Sequence, residues 1–511
     1  MPTFDCPSRP AAKAKFTTPT LTAIPRRKRK RTSTPTPTTT FARATAIAFA
    51  LALALVAPFL STTPASAITV PPTVQATNWS VSPLASPGAP TSTSTPAVSC
   101  SGSSMCMAVG TQGNTVATRT SFAESWNGST WSIVTTANPT GETDVVLQSV
   151  SCVGPSFCMA VGTAVNASSN TVTLAQMWNG STWSIVPTVN PTGTDDVLAH
   201  VDCTGTSFCM AVGASGTDNT PLVEQWTGGS GTSWSTVPIT APTGTTSVQL
   251  QGITCYGTNW CLTVGQAAVS GPATVTVAET WNGSSWTSVP PQNVGNGSTF
   301  SALESVACAG QSFCQAVGQS IDATSNQHNL VESWNGSTWT IVSSPDNTHS
   351  GTVPINQLSD VSCISATVCT AVGSAGATLA TLQTTTLNWN GTAWSLGTTP
   401  NGAGAESSLR SISCITNWAC MASGFTQTGT IAQPFGITAS IARSGYRFVA
   451  SDGGIFNFGP GAPSLGSLGA TALNAPIVGM GVMPAGDGYY MVDANGGVFP
   501  FGSAQNYGSA T

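Results

Sequence analysis

Two cysteines separated by five residues recur seven times along this chain, at Cys100/Cys106, Cys152/Cys158, Cys203/Cys209, Cys255/Cys261, Cys308/Cys314, Cys363/Cys369 and Cys414/Cys420. Successive first cysteines lie 51 to 55 residues apart, so one supersecondary unit has been copied and must tile against itself. A unit of this length, rich in strand formers and turn residues, suits a propeller blade of four antiparallel strands. Such a blade cannot cover its own faces and must stack on neighbours.

In the second copy, Leu147 to Val153 and Phe157 to Gly162 read as strands joined at Gly154-Pro155-Ser156, which sets Cys152 against Cys158 across a tight hairpin. A third strand, Thr171 to Trp178, meets a fourth, Thr182 to Pro187, through Asn179-Gly180. Asn-Gly reads as a two-residue turn, because both types tolerate positive φ. The dipeptide returns at Asn127-Gly128, Asn282-Gly283, Asn335-Gly336 and Asn390-Gly391, with tryptophan on both sides. A two-residue turn sets Trp126 against Ser129 and Glu124 against Trp131, making the tryptophans diagonal neighbours on one face. Met159, Ala160 and Val161 show no polar alternation, as expected for a strand covered on both faces.

The second tryptophan follows the first cysteine by 31 residues in six copies, at Trp131, Trp183, Trp234, Trp286, Trp339 and Trp394. In the seventh copy that position is Gly445, while Asn78-Trp79-Ser80 upstream of the first copy reads as a displaced fourth strand. The expected fold is therefore all-β: a seven-bladed β-propeller of four-stranded blades over residues 68–440, closed by an N-terminal strand so that no sheet edge is left open.

Residues 1–67 read as a signal peptide, with an uncleaved segment retained as a membrane anchor as the alternative. A basic cluster from Arg26 to Arg31 precedes an apolar run from Ala44 to Leu60, and Ala65-Ser66-Ala67 supplies small residues for cleavage. Removal leaves four arginines and no lysine against eighteen acidic residues, a formal charge of −14. Nucleic acid and anionic membrane surfaces need clustered cations and are disfavoured as partners, and the mature chain has no membrane span. Export also permits disulfides, and fourteen of the fifteen cysteines form the seven pairs. Structural zinc favours a spacer of two to four residues, often with histidine, and only His200, His328 and His349 exist.

After Ala442 a different repeat begins. Gly445-Tyr446-Arg447-Phe448-Val449 with Gly453-Gly454-Ile455-Phe456-Asn457-Phe458-Gly459 returns 43 residues later, from Gly488 to Gly502. Residues 441–511 thus form a short tail of two β-repeat copies. The larger repeat, Ser-Cys … Cys-x-Ala-Val-Gly … Glu-x-Trp-Asn-Gly-Ser-x-Trp-Ser, resembles that of secreted actinobacterial repeat proteins. The tail is similar to a second actinobacterial repeat found on exported or wall-associated proteins. Both resemblances imply a secreted or cell-wall associated location, without implying an activity.

Catalysis needs convergent acids, bases or nucleophiles. Glu124, Glu224, Glu279 and Glu332 each stand two residues before a tryptophan, with Gln176 and Leu387 in the matching places. A carboxylate repeated in several blades reads as structural, bonding a neighbouring blade's backbone or an indole N–H. Asp195-Asp196 falls in an inter-blade loop and reads as solvated, and His328 and His349 fall in polar, loop-like segments. Only Arg119 and Arg410 lie in the ring, too few for a sialidase carboxylate clamp. Asp452-Gly453-Gly454 reads as a hairpin turn rather than a calcium loop. Paired tryptophans read as packing, whereas Trp260 and Trp418, inside the Cys-x5-Cys turns, are the candidate ligand-binding aromatics. No cofactor, metal site or catalytic residue is expected. The chain reads as a non-catalytic binding or scaffold module at the cell envelope for a protein or glycan ligand. An exported glycoside hydrolase or sialidase-like enzyme, and a structural wall component, are the alternatives.

Overall fold

The computed structural model describes residues 79–509 apart from 86–91, 116–117, 229–233, 272, 293, 295–297, 348–353, 417–418, 430, 441–445, 459–464, 470, 483–487, 503, 505 and 507. Residues 1–67, read as a signal peptide, and Trp418, Gly445 and His349 lie outside the described residues. Among those described, no helix is long and apolar enough to cross a membrane.

The fold is a β-propeller-like array of four-stranded antiparallel sheets, one to each cysteine pair. The second copy shows the plan: Thr143–Gly154, Phe157–Val165, Thr171–Trp178 and Trp183–Ile185 lie side by side in chain order. The sheets of copies four and five are joined by a single parallel bridge, Thr274 to Phe300. The second strand is buried almost throughout, which explains its unbroken apolar run.

All seven cysteine pairs are disulfides, each linking directly opposed residues such as Cys152 and Cys158. The second cysteine of every pair is buried, at Cys106, Cys158, Cys209, Cys261, Cys314, Cys369 and Cys420, because it belongs to the strand that neighbouring sheets cover on both faces. Among the first cysteines, Cys152 and Cys203 are buried too, while Cys100, Cys255, Cys308, Cys363 and Cys414 are half-buried. The disulfides are therefore core elements as well as staples.

Upstream of the first copy, Trp79–Val81 is the fourth strand of the last sheet, beside Ile431–Ser440. Its register puts Trp79 against Ala439, which opposes Cys420. Trp183 stands in the same relation to Trp178 and Cys158.

The tryptophan hairpin differs from the two-residue turn read from the sequence. Trp126 pairs directly with Trp131, and Trp178 with Trp183, across a four-residue loop. Only its glycine has positive φ, 98° at Gly128. The asparagine acts through its side chain: Asn127 Oδ1 accepts the N–H groups of Ser129 and Thr130, at 3.0 and 2.9 Å. Facing tryptophans pack with ring centres 5.6 Å apart and planes tilted by 48°, and the first indole N–H donates to Ser103 O at 3.1 Å, tying this hairpin to the cysteine turn.

Six of the seven first strands also carry a β-bulge five and four residues before the cysteine, where the register jumps from Leu147 to Ser149, Leu198 to His200, Leu250 to Gly252, Leu303 to Ser305, Leu358 to Asp360 and Leu409 to Ser411, whereas the first copy shifts between Ser94 and Ala97. The bulge drives a carbonyl onto the glycine of Cys-x-Ala-Val-Gly. A Cβ on Gly213 would lie 2.0 Å from Val197 O, and one on Gly373 2.0 Å from Gln357 O. Backbone on both sides cannot yield, so Gly213→Ala is expected to destabilise the chain by about 3 kcal/mol. Urea denaturation checks this, and an unchanged midpoint would mean that the bulge relaxes.

In the tail, Tyr446–Val449 pairs with Ile455–Phe458, and Ile477–Val482, Gly488–Asp493 and Val498–Gly502 form a three-stranded sheet. Tyr489, Met491 and Ile477 centre its small core.

Candidate functional site

The residue skipped by each bulge is the one four positions before the cysteine, and a bulge re-aims the side chain it displaces. Those residues are Gln148, Ala199, Gln251, Glu304, Ser359 and Arg410. All six line one cavity of about 780 Å3, bounded by the first strands of the repeated sheets. They form a collar that differs from copy to copy, unlike the repeated residues of the packing.

Arg410 projects its guanidinium over the Phe425 ring, 5.5 Å from the centroid. The ion pairs among the described residues are Arg119–Asp144 at 2.6 Å and those of His328, so Arg410 is in none. Burial raises the Glu304 carboxyl above its usual range, while the Arg410 charge and a Gln319 hydrogen bond oppose the rise. Gln148 and Gln251 are half-buried, and no protein group among the described residues hydrogen-bonds their amides.

One level along the strands, Asp360 is saturated. It accepts from Ser305 Oγ at 2.6 Å, Ser411 Oγ at 2.9 Å and the N–H groups of Val361 and Ile412 at 2.8 Å each. His200 lines the same cavity, and burial lowers its pKa despite the Asp360 charge, leaving it neutral near pH 7. Its Nδ1 is buried without a hydrogen-bond partner. The serines therefore donate to the aspartate instead of to the imidazole, and the three residue types do not form a nucleophilic triad.

At the cysteine end, adjacent sheets are stitched together. Ser99, Ser151, Asp202 and Ser362 accept the backbone N–H of Cys152, Cys203, Cys255 and Cys414, at 2.9, 3.0, 2.7 and 3.1 Å. Ser413 of the last copy takes the N–H of Cys100 in the first, at 3.0 Å. Asp202 also accepts from Ser151 Oγ, and burial still raises its carboxyl to about 6.

Three of the four repeated glutamates tie neighbouring sheets together, while Glu279 is buried with its Oε1 unpartnered. Glu124, Glu224 and Glu332 accept backbone N–H groups of Ala85, Val189 and Gln292, at 2.6, 3.1 and 2.9 Å, each donor following the fourth strand of a neighbouring sheet. Gln176 takes Ala137 N–H at 3.1 Å in the same way. Burial pushes Glu124, Glu224, Glu279 and Glu332 up to about 7.

Two loop readings are corrected. Asp196 is buried, accepting from Gly193 N–H at 2.9 Å, Thr192 Oγ1 at 3.0 Å and Ser215 Oγ at 2.5 Å, because it anchors the inter-sheet loop; Asp195 alone is exposed. His328 belongs to the strand Gln327–Trp334 and sits between Asp346 and Asp322, at 2.6 and 3.3 Å, which raise its pKa. Trp260 is half-buried against the cluster containing Leu262 and Val306. Among the described residues no group of histidine, cysteine and carboxylate side chains could hold a metal ion. Sequence reading passed over the collar, although aligning the copies on their first cysteine puts its members in one variable column.

No protein-family model matches the sequence, and no curated protein matches it significantly. Solved structures with a similar fold include YCF48 bound to D1 peptide, at 13% identity and TM-score 0.43, covering 71% of this chain and 96% of that one. The RRP9 WD40 repeats match at 11% identity and TM-score 0.46, covering 71% and 97%. A polysaccharide lyase described as an ulvan lyase matches at 9% identity and TM-score 0.44, covering 71% and 95%. At these levels the likenesses assign neither an activity nor a ligand.

Proposed function

We propose that this chain is an exported, non-catalytic binding module: a closed seven-bladed propeller over residues 68–440 that takes its ligand at the collar of the central channel. Residues 1–67 are its removable leader and 441–511 an accessory repeat tail. Closure is supported by contacts that pass from the last sheet to the first as they do between several other neighbouring pairs. Ser413 accepts from Cys100 as Ser151 accepts from Cys203, and Ala85 donates to Glu124 as Val189 donates to Glu224. Disulfides in every copy favour an oxidising, extracytoplasmic setting.

The observation that carries the binding reading is the collar. Identical copies would suffice for a scaffold, yet the bulge position holds Gln, Ala, Gln, Glu, Ser and Arg in successive copies, all facing one cavity. A recessed, polar, non-repeated surface of this kind is where a ligand is read. Trp260 offers less, since part of its ring surface is already packed. Catalysis is not favoured, because Asp360 has its oxygens occupied and His200 contacts no nucleophile. Screening the oxidised chain against saccharide and small-metabolite panels is expected to give a ligand bound without turnover. Arg410→Ala should weaken its binding by at least about tenfold while leaving the melting temperature within a few degrees. Product formation that disappears in Glu304→Gln would replace this reading with an enzymatic one.

A further inference from the structure

The charges on the collar narrow the ligand further, on the premise that the collar is the binding site. Arg410 and Glu304 are two copies apart, with the small Ser359 between them, and they lie in one cavity without forming an ion pair. Each feels the other's charge, and Glu406 adds to the field at Arg410. Of the other carboxylates around the cavity, Asp360 is saturated by four donors and Asp202 is bonded to Cys255 N–H and Ser151 Oγ. The charged groups left to meet a ligand are thus one guanidinium and one carboxylate, beside the neutral amides of Gln148 and Gln251, the Ser359 hydroxyl and the unpartnered Nδ1 of His200.

A simple anion drawn to Arg410 meets the opposing field of Glu304, with Asp360 one level deeper. A simple cation drawn to Glu304 is repelled by Arg410. A neutral polyol would displace water from both charges and return no charge to either, leaving desolvation uncompensated. One ligand class satisfies the whole set. We propose that the collar binds a small zwitterion carrying an ammonium and a carboxylate, a free α-amino acid or short peptide, with its carboxylate on Arg410 and its ammonium on Glu304. The guanidinium offers a planar, two-pronged donor to the carboxylate, and stacking on Phe425 fixes its plane before binding. Gln148 and Gln251 are placed to take the remaining polar groups, and their repetition at one level gives the site some tolerance in how the side chain lies.

The test is isothermal titration of the full, oxidised, exported chain with alanine, dialanine, propionate, ethylamine and glucose. Alanine or dialanine is expected to bind at least about tenfold more tightly than propionate or ethylamine, since each half-ligand satisfies one charge and not the other. Which of the two binds better reports the spacing of the charges. Glu304→Gln and Arg410→Ala should each weaken that binding at least about tenfold, with Arg410→Lys falling between Arg410→Ala and the parent, because it keeps the charge and loses the fork. Propionate binding as tightly as alanine, or zwitterion binding unchanged in Glu304→Gln, would overturn the assignment. Glucose binding without a response to alanine or dialanine would remove the zwitterion while leaving a binding module; turnover of any titrant would remove the module itself.

Discussion

Reducing the disulfides is expected to unfold the chain at temperatures where the oxidised form is intact, lowering its melting temperature by tens of degrees. Each bridge closes a loop of sequence separation 6, and seven are present among the described residues. In the loop-entropy account one such bridge contributes roughly 2 kcal/mol, so seven together contribute on the order of 15 kcal/mol. That equals or exceeds the whole net stability of a typical domain, about 5–15 kcal/mol. A single bridge removed by Cys203→Ala with Cys209→Ala should cost about 2 kcal/mol plus a small cavity contribution, since both cysteines are buried. Circular dichroism melts of oxidised and fully reduced protein measure the total. A reduced chain melting within a few degrees of the oxidised one would show that inter-sheet packing holds the array without its staples.

Stability is also expected to rise on mild acidification, opposite to the usual acid response of proteins. Glu124, Glu224, Glu279 and Glu332 stand at about 7 in the fold against 4.5 for an unperturbed glutamate. Between those values the native state holds more protons than the unfolded chain, so stability falls as pH rises. The loss grows from about pH 5 and levels off above about pH 7, where the buried carboxylates have ionised. With four groups acting alike, the melting temperature at pH 5 should exceed that at pH 8 by on the order of 10 °C. The second copy supplies the matching substitution: Gln176 makes the same inter-sheet contact with no charge. Glu332→Gln should therefore raise stability at pH 8, leave it nearly unchanged at pH 5, and flatten the profile. Calorimetry across pH 5 to 8 checks both, and a parent profile that climbs with pH would mean the four carboxyls are ionised at little cost.

Much of the scaffold was legible because each sign came with a mechanism. Cysteines five residues apart on opposite sides of a turn have to face each other, and the missing tryptophan near Gly445 pointed to Trp79 as the strand that completes the last sheet. How deeply those cysteines lie was less legible, since the spacing fixes their partner but the cover over Cys106, Cys261, Cys314 and Cys369 comes from neighbouring copies. The Asn-Gly hairpin was misjudged because composition does not separate an asparagine that adopts positive φ from one that accepts its own loop's N–H groups. Asp196 was misjudged for a related reason: a loop position says nothing about whether the carboxylate turns inward to tie that loop together. The collar was hidden more deeply. Its members reach the cavity through a register slip, which leaves no trace in hydrophobic periodicity, and the only residue in the sequence that betrays the slip is the glycine opposite, as at Gly213.

The slip has an evolutionary corollary. Because the displaced residue stands outside the strand ladder, its identity can drift without disturbing disulfide, tryptophan pair or inter-sheet stitching. Ala199 and Arg410 differ in size, charge and polarity yet occupy equivalent backbone. Gene duplication followed by change at a single codon per copy would alter the lining of the cavity while the architecture stays constant.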